Sequence, residues 1–183
     1  MKLTFHILTL FPEMFFGPMT ESILKRAQEK DLLEVKYYNL RDYAEDRHKT
    51  VDDAPYGGGA GMVLKVDVMD RALSVINSKL QTPNSKSSKI ILMTPQGNTF
   101  NQAKAKELSN LTDIILVCGH YEGFDERIRE QLVDEEISLG DFVLSGGEIA
   151  AMAVVDATAR LIPGVLGKDE SSKEESYGLK DES

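Results

Sequence analysis

Runs of strand type at residues 3–11, 33–38, 89–94 and 113–118 alternate with stretches of helical pattern, and this alternation constrains the fold more than any other feature of the sequence. The first run, closed by Pro12, reads as a buried strand. Helices are expected over 20–30, with Ile23, Leu24 and Ala27 on one side, and over 66–79. Another is expected from Thr99, where Thr99-Phe-Asn-Gln102 matches a capping box, to about 109, and a short one over 125–133. Strand–helix alternation of this kind predicts an α/β domain with a mainly parallel sheet flanked by helices. Ligands of such sheets collect outside the carboxyl ends of the strands. Gln81-Thr-Pro-Asn-Ser-Lys-Ser-Ser88 is a surface linker by composition, and residues 41–62 form a long polar, glycine-rich stretch.

The last helical segment, 148–162, carries only Asp156 and Arg160 as charges after its first residue, and Pro163-Gly164 ends it. A helix apolar on nearly every side must be covered on nearly every side. One sheet covers one face, so either the helix is central to a monomer or a second subunit covers the rest.

Composition narrows the function. With 183 residues, 42% of them hydrophobic, the chain can bury a substantial core as one domain. No apolar run is long enough to span a membrane, and Met1-Lys2-Leu3-Thr4 lacks a signal-peptide pattern, so a cytoplasmic protein is expected, without a membrane partner. Cys118 is the single cysteine, which excludes an internal disulfide and a four-cysteine zinc site. A net charge of −9 weighs against DNA or extended nucleic-acid binding. An RNA partner would have to use local clusters such as Arg47-His48-Lys49, Lys104 with Lys106, or Arg127 with Arg129.

Glycines mark three strand ends. Thr94-Pro95-Gln-Gly97 follows the third run and Cys118-Gly119-His-Tyr-Glu-Gly123 the fourth, while in Ser138-Leu-Gly-Asp-Phe-Val-Leu-Ser-Gly-Gly-Glu148 a short strand over 142–145 is fenced by glycines. Ser145-Gly-Gly-Glu148 matches a capping box with Ser145 as N-cap, but that leaves Gly146 and Gly147 unexplained. Two readings stay open: a backbone cradle for a flat ligand, or close packing of the helix on the sheet. Neither G-x-G-x-x-G nor a P-loop occurs, which sets aside ordinary dinucleotide and P-loop binding.

Together with Leu8-Thr-Leu-Phe-Pro-Glu-Met14, His48-Lys-Thr-Val-Asp-Asp-Ala-Pro-Tyr-Gly-Gly-Gly-Ala-Gly-Met62, Val117-Cys-Gly-His-Tyr-Glu-Gly-Phe-Asp-Glu-Arg127 and Ala159-Arg-Leu-Ile-Pro-Gly-Val-Leu-Gly167, these blocks make the chain resemble the bacterial tRNA (guanine-N1)-methyltransferases of the SPOUT class. The resemblance implies a homodimer, a deep C-terminal trefoil knot, bound S-adenosylmethionine, and methylation of N1 of the tRNA guanine just 3′ of the anticodon. It implies cofactor contacts from Leu92, Met93, Thr94 and Pro95, from Gly119, Tyr121 and Glu122, and from Ser138, Leu139, Gly140, Phe142, Val143, Leu144, Gly146 and Gly147. Asp52, Tyr56, Gly57, Gly58 and Gly61 would shape the RNA side.

Arg160 suits stabilisation of charge spreading to guanine O6, because its guanidinium is always charged. Otherwise it is an i,i+4 partner of Asp156. Glu175 stands where the family places an aspartate base, and its extra methylene could misplace the carboxylate. His120 is expected to line the pocket, its equivalent in relatives often being arginine, and Cys118 to be a small buried residue. Family members are reported to use magnesium, though no carboxylate cluster marks a site. Residues 1–164 are expected to form the knotted cofactor-binding domain and 165–183 an acidic interdomain segment, with the family's helical RNA-binding domain absent. A ribosomal-RNA methyltransferase of the same class and a cofactor-binding dimer without activity are the alternatives.

Overall fold

The computed structural model describes residues 2–54, 61–80, 87–120 and 124–166. Strand β1 (Leu3–Thr9) is buried along its whole length, so it has neighbours on both edges and both faces. It lies between β2 (Leu33–Asn39) and β6 (Asp113–Cys118) in a parallel five-stranded sheet of order β2-β1-β6-β5-β7, where β5 is Ser88–Thr99 and β7 is Glu135–Ser138. A separate antiparallel pair of two-residue strands is formed by β3 (Asp52–Asp53) and β4 (Val63–Leu64). The helices are α1 (Ser22–Glu29), α2 (Val66–Asn77), α3 (Gln102–Leu108), α4 (Glu126–Gln131) and α5 (Glu148–Ala159), with one-turn 3-10 helices at Pro12–Phe15 and Leu40–Tyr43. The expected α/β class and parallel sheet are therefore present, and among the described residues no helix is long and apolar enough to cross a membrane.

Alternation along the strands divides the core. Leu3, Phe5 and Ile7 of β1, with Ile114 and Leu116 of β6, pack against α1, α3 and α5; Leu8, Ile115, Val117 and Leu92 face α2 and α4 across the sheet. Because all five strands run the same way, β5, β6 and β7 end on one edge. After β6 the chain crosses to the outer edge as β7 and returns as α5, which packs on β1 and β6.

Three local expectations fail for identifiable reasons. No strand forms over 142–145: Gly140 has φ of +152°, the Phe142 amide turns back to the Gly140 carbonyl at 2.9 Å, and Val143 is 83% exposed. A reversal of that tightness leaves no neighbouring strand to pair with. The capping box at Ser145 is also absent, since Gly147 is the residue that precedes α5 and Glu148 turns inward to the core. At α3 the cap is Asn101, whose side chain accepts from the Lys104 amide, in place of Thr99, which is still paired in β5.

The third strand also runs further than its apolar part suggested. β5 pairs with β7 through Met93, bulges over the following four residues, and re-pairs at Asn98 on the same partner, Ile137. Proline cannot donate to a ladder, so Pro95 forces the excursion. Gly97 permits the return, because a Cβ there would lie 2.5 Å from the Glu136 carbonyl carbon.

Candidate cofactor site

The excursion of β5, the end of β6 and the turn after β7 enclose a cavity of about 460 Å³. Met93, Thr94 and Pro95 line it from the first, Gly119 from the second, and Ser138, Leu139, Phe142, Val143, Leu144, Gly146 and Gly147 from the third. Three glycine-bearing strand ends thus converge on one space, as the sequence led us to expect. Roughly 300–1,000 Å³ is the range of small-molecule sites, and the position outside the carboxyl ends of parallel strands is the one such sheets use.

The glycines follow the packing reading of the two left open above, or serve a turn. At Gly147 the reason is packing: a Cβ would lie 2.8 Å from the Cys118 Cα, and the Gly147 amide donates to the Gly119 carbonyl at 2.9 Å. Helix α5 therefore starts directly against the end of β6. Gly119 is bare because the Phe124 ring lies over it, 2.6 Å from where its Cβ would stand. Gly140 supplies a turn and is not itself in the wall.

Beneath the wall lies a charged cluster. Glu148, the first residue of α5, is fully buried and accepts from Thr9 Oγ1 at 2.5 Å and from His120 Nε2 at 2.7–2.8 Å. A helix N-terminus favours a carboxylate at that place. His120 itself lines the cavity, as expected, and its ring meets Phe11 edge-on at 4.8 Å between centroids. Cys118 is fully buried, and burial first, with Glu148 second, pushes its thiol pKa well up, so it is not a thiolate nucleophile.

The opposite wall was missed in the sequence. Gln96, Phe124, Glu126, Arg129 and Ala150 also line the cavity. Phe124 and Glu126 stand inside a motif that was singled out, but nothing in its spacing shows that α4 folds back over the β6 end. Arg129 donates from Nε and Nη2 to the Glu136 carboxylate at 2.9 and 3.1 Å, which holds α4 to β7.

Other expected residues stand elsewhere. Leu92 is buried on the α2 side of the sheet. Asp52 lies in β3, and Gly61 has φ of +105° beside β4. Arg160 follows α5 at its far end, ten residues beyond Ala150, which lines the cavity, and at a rise of about 1.5 Å per residue that is about 15 Å away. Tyr56, Gly57, Gly58, Tyr121, Glu122 and Glu175 lie outside the described residues. Of the cationic clusters considered for RNA, Lys104 is bound to Glu107 and Glu135, Arg127 to Asp125, and Arg129 to Glu126 and Glu136. Arg47, His48 and Lys49 stay exposed on one loop.

The profile of the family described as tRNA (Guanine-1)-methyltransferase TrmD matches residues 1–182. The chain belongs to that family. It is 59% identical over 173 residues to a tRNA (guanine-N(1)-)-methyltransferase of Geobacter sp. (strain M21), covering 94% of this chain and 68% of the relative. A protein of the same description from Dehalococcoides mccartyi (strain ATCC BAA-2266 / KCTC 15142 / 195) is 56% identical over 171 residues, covering 93% and 67%. Among solved structures, tRNA (m1G37) methyltransferase from Aquifex aeolicus superposes with a TM-score of 0.80 at 41% identity, covering 92% of this chain and 73% of that one.

Proposed function

We propose that this chain is a tRNA (guanine-N1)-methyltransferase that takes its methyl group from S-adenosylmethionine and places it on N1 of the guanine just 3′ of the anticodon, the m1G37 reaction named for its structural relative. The observation that carries the reading is the convergence of three glycine-bearing strand ends on one cavity in a member of this family. The cavity fits the cofactor by size and by character: its walls mix apolar side chains such as Met93, Leu139 and Leu144 with polar ones such as Thr94 and Ser138. Bound there, S-adenosylmethionine supplies an electrophilic methyl group on sulfur. Met93–Pro95, Gly119 and the turn from Leu139 to Gly147 would hold it.

The residues must then manage one proton and one developing charge. Neutral guanine carries a proton on N1; as the bond from N1 to the methyl carbon forms and the carbon–sulfur bond breaks, that proton has to leave and charge spreads toward O6. Arg160 takes the charge as a permanently cationic donor, and Glu175 takes the proton.

Arg160 stands about 15 Å along α5 from Ala150 of its own cavity wall, farther than its side chain reaches, so it serves the cavity of a second copy. The uncovered side of α5 supports such a homodimer. Ile149, Met152, Ala153 and Ala157 form a stripe at helical spacing that no described residue fully covers, and Phe11, Met14 and Phe16 are exposed nearby on the Pro12–Phe15 turn that α5 contacts. The deep trefoil knot belongs to the same proposal, and the return of α5 over the sheet after β7 supports it. A cytoplasmic location follows from the tRNA substrate. Among the described residues no group of three or more His, Cys, Asp or Glu side chains could hold a metal ion, so no step is assigned to magnesium.

The test is methyl transfer from radiolabelled S-adenosylmethionine to a tRNA transcript. Label on a transcript with guanine at the position 3′ of the anticodon, and none when adenosine replaces it, is the expected result. Equal label on both, or label on ribosomal RNA alone, would overturn the assignment.

A further inference from the structure

Glu148 has no surface at all, yet a strand end of the cofactor wall and the end of the central strand meet on its carboxylate. His120 reaches it from the end of β6, and Thr9 from the end of β1, with Thr9 Oγ1 also accepting from the Phe11 amide at 2.9 Å. The Gly147 amide to Gly119 carbonyl bond joins the same two segments one residue away. Between them the fit is close: a Cβ on Gly146 would collide with the His120 ring and lie 2.5 Å from Glu148 Oε2, so the imidazole occupies space that a side chain at 146 would need. A carboxylate with no solvent and two or three donors is held in one orientation, because any other would leave it unpaired in the interior.

We propose that Glu148 is a positioning residue for the cofactor cavity: acting through His120, and anchored by Thr9, it fixes the spacing between the strand end at Gly119 and the turn that ends at Gly147. Glu148 touches neither cofactor nor reacting atoms. His120 is the part of the cluster that reaches the cavity wall, with 15% of its side chain exposed against none for Glu148. The cluster sets how well the cavity receives its ligand and leaves the chemical step alone, since the groups assigned to proton and charge lie at Glu175 and Arg160. It ties β1 to the site as well, so the first strand of the chain contributes to a cavity built from the last three.

This inference rests on the proposed cofactor, and the experiment separates the two. S-adenosylmethionine binding is measured by titration calorimetry, and kcat and KM for each substrate are measured on tRNA. The proteins are wild type, Glu148→Gln, His120→Leu, the double variant and His120→Gln, whose amide nitrogen stands near the place of Nε2. Loss of a hydrogen bond to a charged group predicts cofactor binding weaker by about tenfold in Glu148→Gln and in His120→Leu. The double variant should be no weaker than the worse single one, because the two act as a unit. KM for tRNA and kcat should hold within about twofold, and His120→Gln should recover most of the binding. Additive losses, a fall in kcat with cofactor affinity intact, or a His120→Gln as weak as His120→Leu would overturn the positioning role. Thermal melting of the five proteins guards against misfolding, and His120→Leu, at a partly exposed site, gives the answer if Glu148→Gln does not fold. Wild type that binds no S-adenosylmethionine would overturn the cofactor reading itself, while wild type that binds with variants equal to it overturns the positioning role alone.

Discussion

His6 occupies the middle of the central strand with no exposed surface, its Nε2 3.1 Å from Asp113 Oδ1 and its Nδ1 3.1 Å from the Tyr38 hydroxyl. Asp113 Oδ2 is buried without a partner. Burial is the largest influence on His6 and lowers its pKa from 6.5; the hydrogen bond and charge of Asp113 oppose it, Lys36 adds to it slightly and Glu34 opposes slightly. The folded chain therefore holds His6 neutral where the unfolded chain would begin to bind a proton. As the pH falls through 6.5 toward the lowered value, the unfolded state takes up more protons and stability is lost; above 6.5 the contribution is fully present. Urea denaturation across this window should show a declining midpoint in wild type and a flatter dependence in His6→Gln. Parallel slopes in the two proteins would show that His6 is not the group responsible. The same position illustrates what composition hides: a histidine in an apolar run reads as strand filler, and its partners come from β2 and β6, far away in the chain.

At the scale of elements, the junction of β6 with α5 leaves no room for a side chain. With a Cβ at 147 placed 2.8 Å from the Cys118 Cα, Gly147→Ala must push the helix start off the strand end, because backbone atoms cannot yield as a flexible side chain does. A cost of about 1–3 kcal/mol is expected, typical of overpacking, read as a lower urea midpoint with unchanged slope. An unshifted midpoint would mean the helix can move freely there. This junction also shows how far the sequence could be read. Of the glycines at the third strand end, Gly146 and Gly147 line the cavity and Gly140 does not, and the strand assigned to 142–145 was a turn, because apolar residues form a strand only where a neighbour offers an edge, and Phe142 and Val143 face outward. The capping-box match at Ser145 failed for a similar reason. Glu148 had a local use in the pattern and a tertiary one in the fold, and its partners Thr9 and His120 were the stronger attraction. Pro95, by contrast, broke its strand where a proline should.

For the whole molecule, the parallel α/β architecture was legible because each strand run and each helical run carries its own period. The order β2-β1-β6-β5-β7 was not, since crossovers leave no mark in local pattern. Nor was the folding of α4 over the β6 end, which brings Glu126 and Arg129 to the cavity. The nearly uniform apolarity of α5 did point beyond a single sheet. One side of that helix lies in the core and Ile149 remains 48% exposed on the other, with Arg160 at the end remote from the cavity of its own chain. These facts fit the proposed arrangement, a cofactor held by the ends of β5, β6 and the turn after β7 and completed by Arg160 of a second copy. A crystal structure of the protein grown with S-adenosylmethionine tests this most directly. It should show the cofactor in contact with Met93–Pro95, Gly119 and the turn from Leu139 to Gly147, with Arg160 of another copy at the cavity mouth. Cofactor bound elsewhere, or a monomer with this cavity filled by its own side chains, would contradict it.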